Sequence, residues 1–258
     1  MKFIKKKYIH YINDHVNIET NMLNDPSYNI FIVYYINCLV NTNYFNWLEN
    51  QINIVKTYGI IYIIATISRE EEPQFKKKLI DMYPNVIIEC NYENEFEYRG
   101  ILKVWELGQV HNSHNDIILY FHSKGVTRSN SYENNRNDSY NEILMDINKI
   151  KEIYTIFPSI DKIGYNTGGI GWCWCNFWYA RGSYINSVEQ PIKTQRRHYY
   201  EDWLCRKVIN DKYTGIERPI TYYANTLRSC YNFYNDAYFG NIGSYYCPDT
   251  NRMLLYFN

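Results

Sequence analysis

Three groups of residues in this chain have types and spacings that could do chemistry. The first is His122-Ser123-Lys124-Gly125, where an apolar run ends in an imidazole, a hydroxyl, an ammonium and a glycine. An ammonium neutralises a diphosphate, an imidazole ligates a metal or donates to a phosphate oxygen, and a glycine lets the backbone approach a ligand closely. An ordinary strand-to-loop turn with a solvated lysine would read the same way. The second group is Glu201-Asp202. Adjacent carboxylates in a partly dry site serve as a general base on a hydroxyl, although helix-dipole electrostatics alone also favour acids in a first turn. The third is Trp172-Cys173-Trp174-Cys175-Asn176-Phe177-Trp178. It is either a sugar-stacking platform, because an indole face matches the C–H face of a pyranose, or a central strand with large inward side chains.

Several other chemistries fall away. The glycine spacing and the order of Gly, Lys and Ser around Lys124 are wrong for a phosphate-binding P-loop, and Gly169-Ile170-Gly171 lacks the third glycine of a dinucleotide fingerprint. Neither a Gly-x-Ser-x-Gly elbow nor a His-Glu-x-x-His motif occurs. Cys173 and Cys175 fall on one face of the expected strand, without a second ligand pair at zinc spacing, and read as buried thiols. Seven cysteines without regular spacing describe no disulfide framework. With 27 basic and 27 acidic side chains the formal charge is zero, which argues against a broad nucleic-acid-binding face. The 29 tyrosines sit in a sequence also rich in Asn and Ile, so tyrosine clusters reflect compositional bias and carry little functional weight. No window approaches the ~18 consecutive apolar residues of a membrane span, and the basic start is followed by residues too polar for a signal peptide. The expectation is a soluble, cytoplasmic protein.

The elements that must position these groups follow from apolar periodicity. Residues 1–28 read as an N-terminal arm or peripheral strand. Strands are expected at Asn29–Ile36, Ile60–Ile67, Val86–Ile88 and Ile117–Phe121, the last an unbroken apolar run suited to a central strand buried on both faces. Between them lie helices carrying Tyr44, Leu48, Ile52 and Val55, capped by Asn41-Thr42-Asn43 and closed by Gly59; then Phe75, Leu79 and Met82, opened by Glu70-Glu71-Glu72-Pro73; then Tyr98, Leu102, Trp105 and Gln109 over about Phe96–His111. Thr127–Asp138 reads as a surface loop or flap, and Ile143, Ile147, Ile150 and Tyr154 as one further helix. A strand is expected over Ile160–Asn166, and a helix from Tyr199 to about Ile209. The β-α-β-α-β-α-β order predicts an α/β fold, a doubly wound, mostly parallel central sheet flanked by helices in a single domain. Ligands in such sheets bind beyond the carboxyl ends of the strands, where His122, Ser123 and Lys124 fall.

The strand-helix order, the Tyr120-Phe121-His122-Ser123-Lys124-Gly125 element, the Asn176-Phe177-Trp178-Tyr179-Ala180-Arg181 element and Glu201-Asp202-Trp203 together resemble a family. They are similar to the small GT-A-type glycosyltransferases and glycosyltransferase-like proteins of giant DNA viruses such as mimivirus, with bacterial polysaccharide-synthesis relatives. The resemblance covers roughly residues 29–210. It implies a GT-A-like (Rossmann-type) sheet with a nucleotide-sugar half, 29–125, an acceptor half, 160–210, and a C-terminal extension, 211–258, packed on the domain. It also implies an inverting transfer of sugar from a nucleotide-diphosphate donor, a UDP-sugar first among them, to a glycan or protein hydroxyl. The donor site would be lined by Tyr35, Asn37, Glu97, Tyr98 and Lys103, with His122, Ser123 and Lys124 beside the diphosphate. Trp172, Trp174, Asn176 and Trp178 would face the acceptor, and Glu201 or Asp202 would be the base. Such enzymes usually hold a divalent ion with an Asp-x-Asp pair after strand four, and that pair is absent here. Either His122 and other ligands hold Mn²⁺ or Mg²⁺, or Lys124 supplies the charge, or activity has been lost and the chain is a nucleotide- or sugar-binding or virion structural protein.

Overall fold

The computed structural model describes residues 27–40, 44–123, 141–156, 158, 160–164, 173–195 and 198–205, and four later strands; the side chains of Trp174, His198, Asp202 and Cys205 and of those four strands are outside the description. The expected Asn41–Asn43 cap, the flap at Thr127–Asp138 and the N-terminal arm up to residue 26 lie outside the described residues.

Apolar runs form the first half as expected. Strands β1 (Asn29–Asn37), β2 (Ile60–Thr66), β3 (Ile87–Asn91) and β4 (Asp116–His122) alternate with helices α1 (Tyr44–Val55), α2 (Glu72–Met82) and α3 (Tyr98–Val110). All of β1 from Ile30 to Ile36 is buried, alternate residues entering the two cores on opposite faces of the sheet. That is why the run shows no polar alternation. One face is covered by α1, α2 and a helix α4 (Ile147–Ile156); the other is covered by α3, a short helix α5 (Gly182–Ile185) and α6 (His198–Asp202).

The remaining strands are β5 (Lys162–Gly164), β6 (Trp178–Arg181), β7 (Cys230–Asn232), β8 (Ala237–Phe239), β9 (Ile242–Cys247) and β10 (Arg252–Phe257). The main sheet has the order β3-β2-β1-β4-β6-β5-β7-β8, and β9 and β10 pair separately. It is a mixed α/β sheet in which β6 and β8 run against the other strands. The extension 211–258, expected to pack on the domain, thus contributes β7 and β8 to the sheet itself. The connection direction reverses between β1 and β4, which are neighbours, and a crevice at their carboxyl ends is the position the topology favours for a ligand.

Local differences have local causes. Gly59 does not close α1 by a left-handed cap; a Cβ there would lie 1.9 Å from the Ile30 carbonyl oxygen, so the position is glycine because β1 passes against it. Tyr83, 8 % exposed, completes the inner face of α2 in place of the more exposed Met82. The expected helix over Ile143–Tyr154 is two pieces, 141–145 and α4, broken where Asp146 Oδ1 accepts the Lys149 N–H at 2.9 Å and caps the second piece. The face of α3 marked by Tyr98, Leu102, Trp105 and Gln109 is only half-buried; Gly100, Ile101, Val104 and Leu107 meet the sheet.

Arg181, at the end of β6, is 1 % exposed and ties helix α4 to the loops before β4 and β5 that carry His114, Pro158 and Ile160. Its guanidinium donates to the carbonyls of Ile160 (2.6 Å), His114, Tyr154 (3.2 Å) and Pro158 (3.4 Å), and lies 4.4 Å over the Tyr154 ring. Charge-assisted donors hold these carbonyls where water cannot. Arg181→Met keeps the stem and removes the donors, and is expected to lower unfolding free energy by about 3 kcal/mol in chemical denaturation.

Candidate functional site

Each of the first four strands ends on a polar residue: Asn37, Thr66, Asn91 and His122. Across three of them runs a hydrogen-bonded ladder. Thr66 Oγ1 gives its proton to Asn91 Oδ1 (2.9 Å), so the Tyr35 hydroxyl donates to Thr66 (3.1 Å), and Asn91 Nδ2 donates to the Ala65 carbonyl (3.3 Å). Burial first, opposed in part by the Thr66 hydrogen bond, raises the Tyr35 pKa, which keeps the phenol protonated. Tyr35 and His122 are register partners, and the Ser123 N–H donates to the Tyr35 carbonyl (3.1 Å), closing β1 onto β4 at the switch point. Asn37 is half-buried, its Oδ1 accepting the Leu39 N–H (3.1 Å).

The centre of the arrangement is Glu97, at the start of α3. Gly100 lets that helix approach the sheet, since a methyl there would stand 2.8 Å from Tyr35 Cβ and 3.0 Å from the Tyr120 hydroxyl. Left-handed Phe96 (φ 53°) precedes Glu97, its N–H held by Asn94 Oδ1 at 3.2 Å. The Glu97 carboxylate then accepts from the Tyr120 hydroxyl (3.1 Å) and from Asn176 Nδ2 (2.7 Å), and stands 3.6 Å from His122 Nδ1. Burial, with the neighbouring carboxylate adding to it, raises the Tyr120 pKa well above its ordinary value, so Tyr120 is a donor throughout. His122 Nε2 meets the Cys175 carbonyl at 2.9 Å.

Asn176 is the other half of the centre. It is 1 % exposed; its Oδ1 accepts from Trp178 Nε1 (3.4 Å), which fixes which end of the amide is nitrogen, and Nδ2 donates to both Glu97 and the Tyr200 carbonyl (3.2 Å). Cys175 (φ 62°) and Asn176 (φ 54°) are both left-handed. That conformation costs roughly 1–2 kcal/mol per non-glycine residue, less for Asn, and the hydrogen bonds to a charged carboxylate offset it. The segment Trp174–Asn176 is therefore a 3-10 turn, and the expected continuous strand begins at Trp178. Cys173 and Cys175 do not share a face; they belong to opposite cores.

The sequence-derived site residues divide accordingly. Glu97, His122 and Asn176 come together, with Tyr35 and Ser123 directly beneath. Trp178 is fully buried, its ring 5.3 Å from Tyr120, so it is a core residue that orients Asn176 and offers no face to an acceptor. Tyr98 packs toward Tyr200, ring centroids 6.4 Å apart. Lys103 is drawn away from the centre by Glu89 (2.6 Å) and Glu106 (2.8 Å). Burial opposes the charge of Lys103, but those two carboxylates prevail and raise its pKa. Glu201 is half-buried and follows Tyr200, whose carbonyl Asn176 holds. Lys124 and Trp172 lie outside the described residues, as do the side chains of Trp174 and Asp202. His122 Nε2 meets the Cys175 carbonyl and its Nδ1 faces Glu97, and among the described residues no group of three or more His, Cys, Asp or Glu could hold an ion.

Sequence reasoning missed a cleft of about 370 Å³ beyond the ends of β2 and β3, lined by Arg69, Asn91, Tyr92, Glu93, Glu95, Arg99 and Lys193 among others. Arg69 lies 4.1 Å over the Tyr92 ring and pairs with no carboxylate among the described residues. The nearly buried Glu95 accepts from Arg99 (2.6 Å) and pairs with Lys193. Cys90 borders the cleft, but burial, then the Glu72 carboxylate, pushes its thiol up to about 11, so it is no nucleophile near neutrality. The available signal was the polar ends of β2 and β3, the same feature that singled out His122.

No protein-family model matches the chain, and no curated protein matches it in sequence. No helix among the described residues is long and apolar enough to cross a membrane.

Two outcomes follow. Asn176→Ala keeps the left-handed backbone and removes the amide, and is expected to cost about 2 kcal/mol of stability; Asn176→Gly relieves the backbone and should cost about 1 kcal/mol less, as thermal denaturation of the pair would read. Burial pushes the Glu95 pKa up, but hydrogen bonds from Lys193 and Arg99 outweigh it and hold the carboxyl below the ordinary range. A lowered folded pKa means stability that is present above the unfolded value of ~4.3 and is lost as pH falls through the folded value. Wild-type protein should therefore lose stability more steeply than Glu95→Gln over that acid window, measured by denaturant titration at stepped pH.

Proposed function

We propose that this chain is a glycosyltransferase of GT-A type that moves a sugar, with inversion, from a nucleotide-diphosphate donor to a hydroxyl of a glycan or protein, in a cytoplasmic or virion-associated setting. The observation that carries the reading is the convergence at the β1–β4 switch point. There the amide of Asn176 bridges the Glu97 carboxylate, beside His122, to the Tyr200 carbonyl, one residue before Glu201. Donor-side and acceptor-side elements meet at one end of one sheet.

In this reading the cleft at Arg69, Asn91 and Tyr92 takes the nucleoside, a planar polar ring suiting a guanidinium, an amide and an aromatic edge. The diphosphate lies toward Ser123 and the following Lys124. The acceptor oxygen attacks the anomeric carbon as its proton passes to Glu201 or Asp202. The bond from that carbon to phosphate oxygen breaks, and the nucleoside diphosphate leaves with the electron pair. Lys124 stabilises the growing negative charge. The described donor set does not fit a protein-held divalent ion, so no step is routed through one.

A catalytically silent binding module is the second reading, favoured by the contact of His122 Nε2 with the Cys175 carbonyl, beside the Glu97 carboxylate that faces Nδ1. Screening nucleotide sugars, UDP-sugars first, with and without Mn²⁺ separates the two. The transferase should gain thermal stability with one donor and release free nucleotide slowly, and Glu201→Ala/Asp202→Ala should cut release by about 10²-fold or more. Stabilisation without release would favour the binding module. Release at the wild-type rate by both the double variant and Lys124→Ala would overturn the assigned roles.

A further inference from the structure

The strap from Glu189 to Thr194, between α5 and α6, has no regular structure, yet it is bonded to two different parts of the molecule. On one side it is fastened to α6 and the turn after it. The Ile192 N–H donates to the Tyr199 hydroxyl (3.1 Å), the Thr194 N–H donates to the Tyr200 hydroxyl (3.1 Å), and Trp203 Nε1 donates to the Glu189 carbonyl (2.9 Å). On the other side it reaches the cleft through one side chain. Lys193 Nζ pairs with Glu93 (3.2 Å) and with Glu95, and Glu95 in turn holds Arg99. Strap and α6 thus form one hydrogen-bonded unit, and Lys193 is its charged tether to the loop between β3 and α3.

The two partners of Lys193 differ in kind. The Glu95 side chain is 3 % exposed, so its charge requires the cations that flank it, whereas Glu93 and Lys193 are largely in water. Arg99 and Lys193 compete for one buried carboxylate at the edge of the cleft. An anionic ligand drawing Arg99 toward itself would leave Lys193 the larger share of Glu95, pulling the strap and α6 inward.

We infer that Lys193 is a positioning residue that couples occupancy of the Arg69–Arg99 cleft to the placement of α6 and its Glu201. This rests on the nucleotide reading above for the identity of the ligand and on the contacts alone for the coupling. Uncoupling should leave the ligand bound and α6 loose, which separates a positioning role from a binding one.

Hydrogen exchange of the whole protein with and without UDP tests it. In the wild type, UDP should slow exchange in residues 91–99 and also in 198–205. In Lys193→Ala the protection at 91–99 should persist while that at 198–205 falls by about tenfold, and Lys193→Arg should restore it. Equal protection of 198–205 in wild type and Lys193→Ala would overturn the inference. If UDP protects neither segment of the wild type, the nucleotide reading fails while the tether is still decided without ligand. Exchange at 198–205 should then be faster in Lys193→Ala than in wild type and as fast as in wild type at high salt, which screens exposed ion pairs; equality of ligand-free Lys193→Ala with low-salt wild type would overturn it.

Discussion

The carboxylate of Glu97 is the constraint on which this end of the molecule depends. It is largely out of water, its side chain 16 % exposed, and a charge so placed costs several kcal/mol unless donors surround it. Two segments surround it: β4, whose Tyr120 donates and whose terminal His122 brings Nδ1 to 3.6 Å, and the turn before β6, whose Asn176 donates. None of the three residues could be moved independently. The short distance from α3 to the sheet, set by Gly100, brings Glu97 within reach of Tyr120. The left-handed pair Cys175 and Asn176 aims an amide where a straight strand would have aimed a side chain elsewhere.

The reversed strand β6 follows from the same demand. A parallel strand next to β4 would enter from the far end of the sheet and leave its preceding loop remote from Glu97. Running antiparallel, β6 begins at the site, with Trp178 opposite Tyr120, and ends at Arg181 opposite Ile117. The strand is thus pinned at both ends by polar groups, the amide network above and the buried guanidinium below. Its apolar middle, Tyr179 and Ala180, fills the two cores.

The parallel half was legible because β1, β2 and β4 are buried on both faces, and burial on both faces writes itself as an unbroken apolar run. Strand positions, the helix interleaving and the placement of His122 and Ser123 all follow from that rule. The segment around Trp172–Trp178 was not legible, because its composition is that of a strand while its conformation answers to a carboxylate 79 residues earlier. Trp178 looked available for a sugar because nothing local says that its N–H is needed by Asn176. The inner face of α3 was misjudged for a related reason: glycine contributes no hydrophobic signal, yet Gly100 is where that helix meets the sheet most closely and Gly108 is where it meets Ile185 of α5. The cleft beyond β2 and β3 depends on Lys193 arriving from far along the chain, and a contact of that separation leaves no periodicity to read.

The network also divides the site mechanically. Tyr35, Thr66 and Asn91 are linked across three adjacent hydrogen-bonded strands, so the floor cannot adjust without breaking strand register. By contrast α6 is a helix of five residues, too short to be stable by its own hydrogen bonds. It is held by what its neighbours give it: the Asn176 amide on the Tyr200 carbonyl, and the strap on the Tyr199 and Tyr200 hydroxyls. A rigid floor beside a borrowed helix is the arrangement in which a small change of charge at the cleft can move one wall and leave the other fixed. The carboxylate on the movable wall is Glu201, and the groups on the fixed one are His122 and Ser123. Chemistry that needs a base to advance on one substrate while another stays held would use that asymmetry directly.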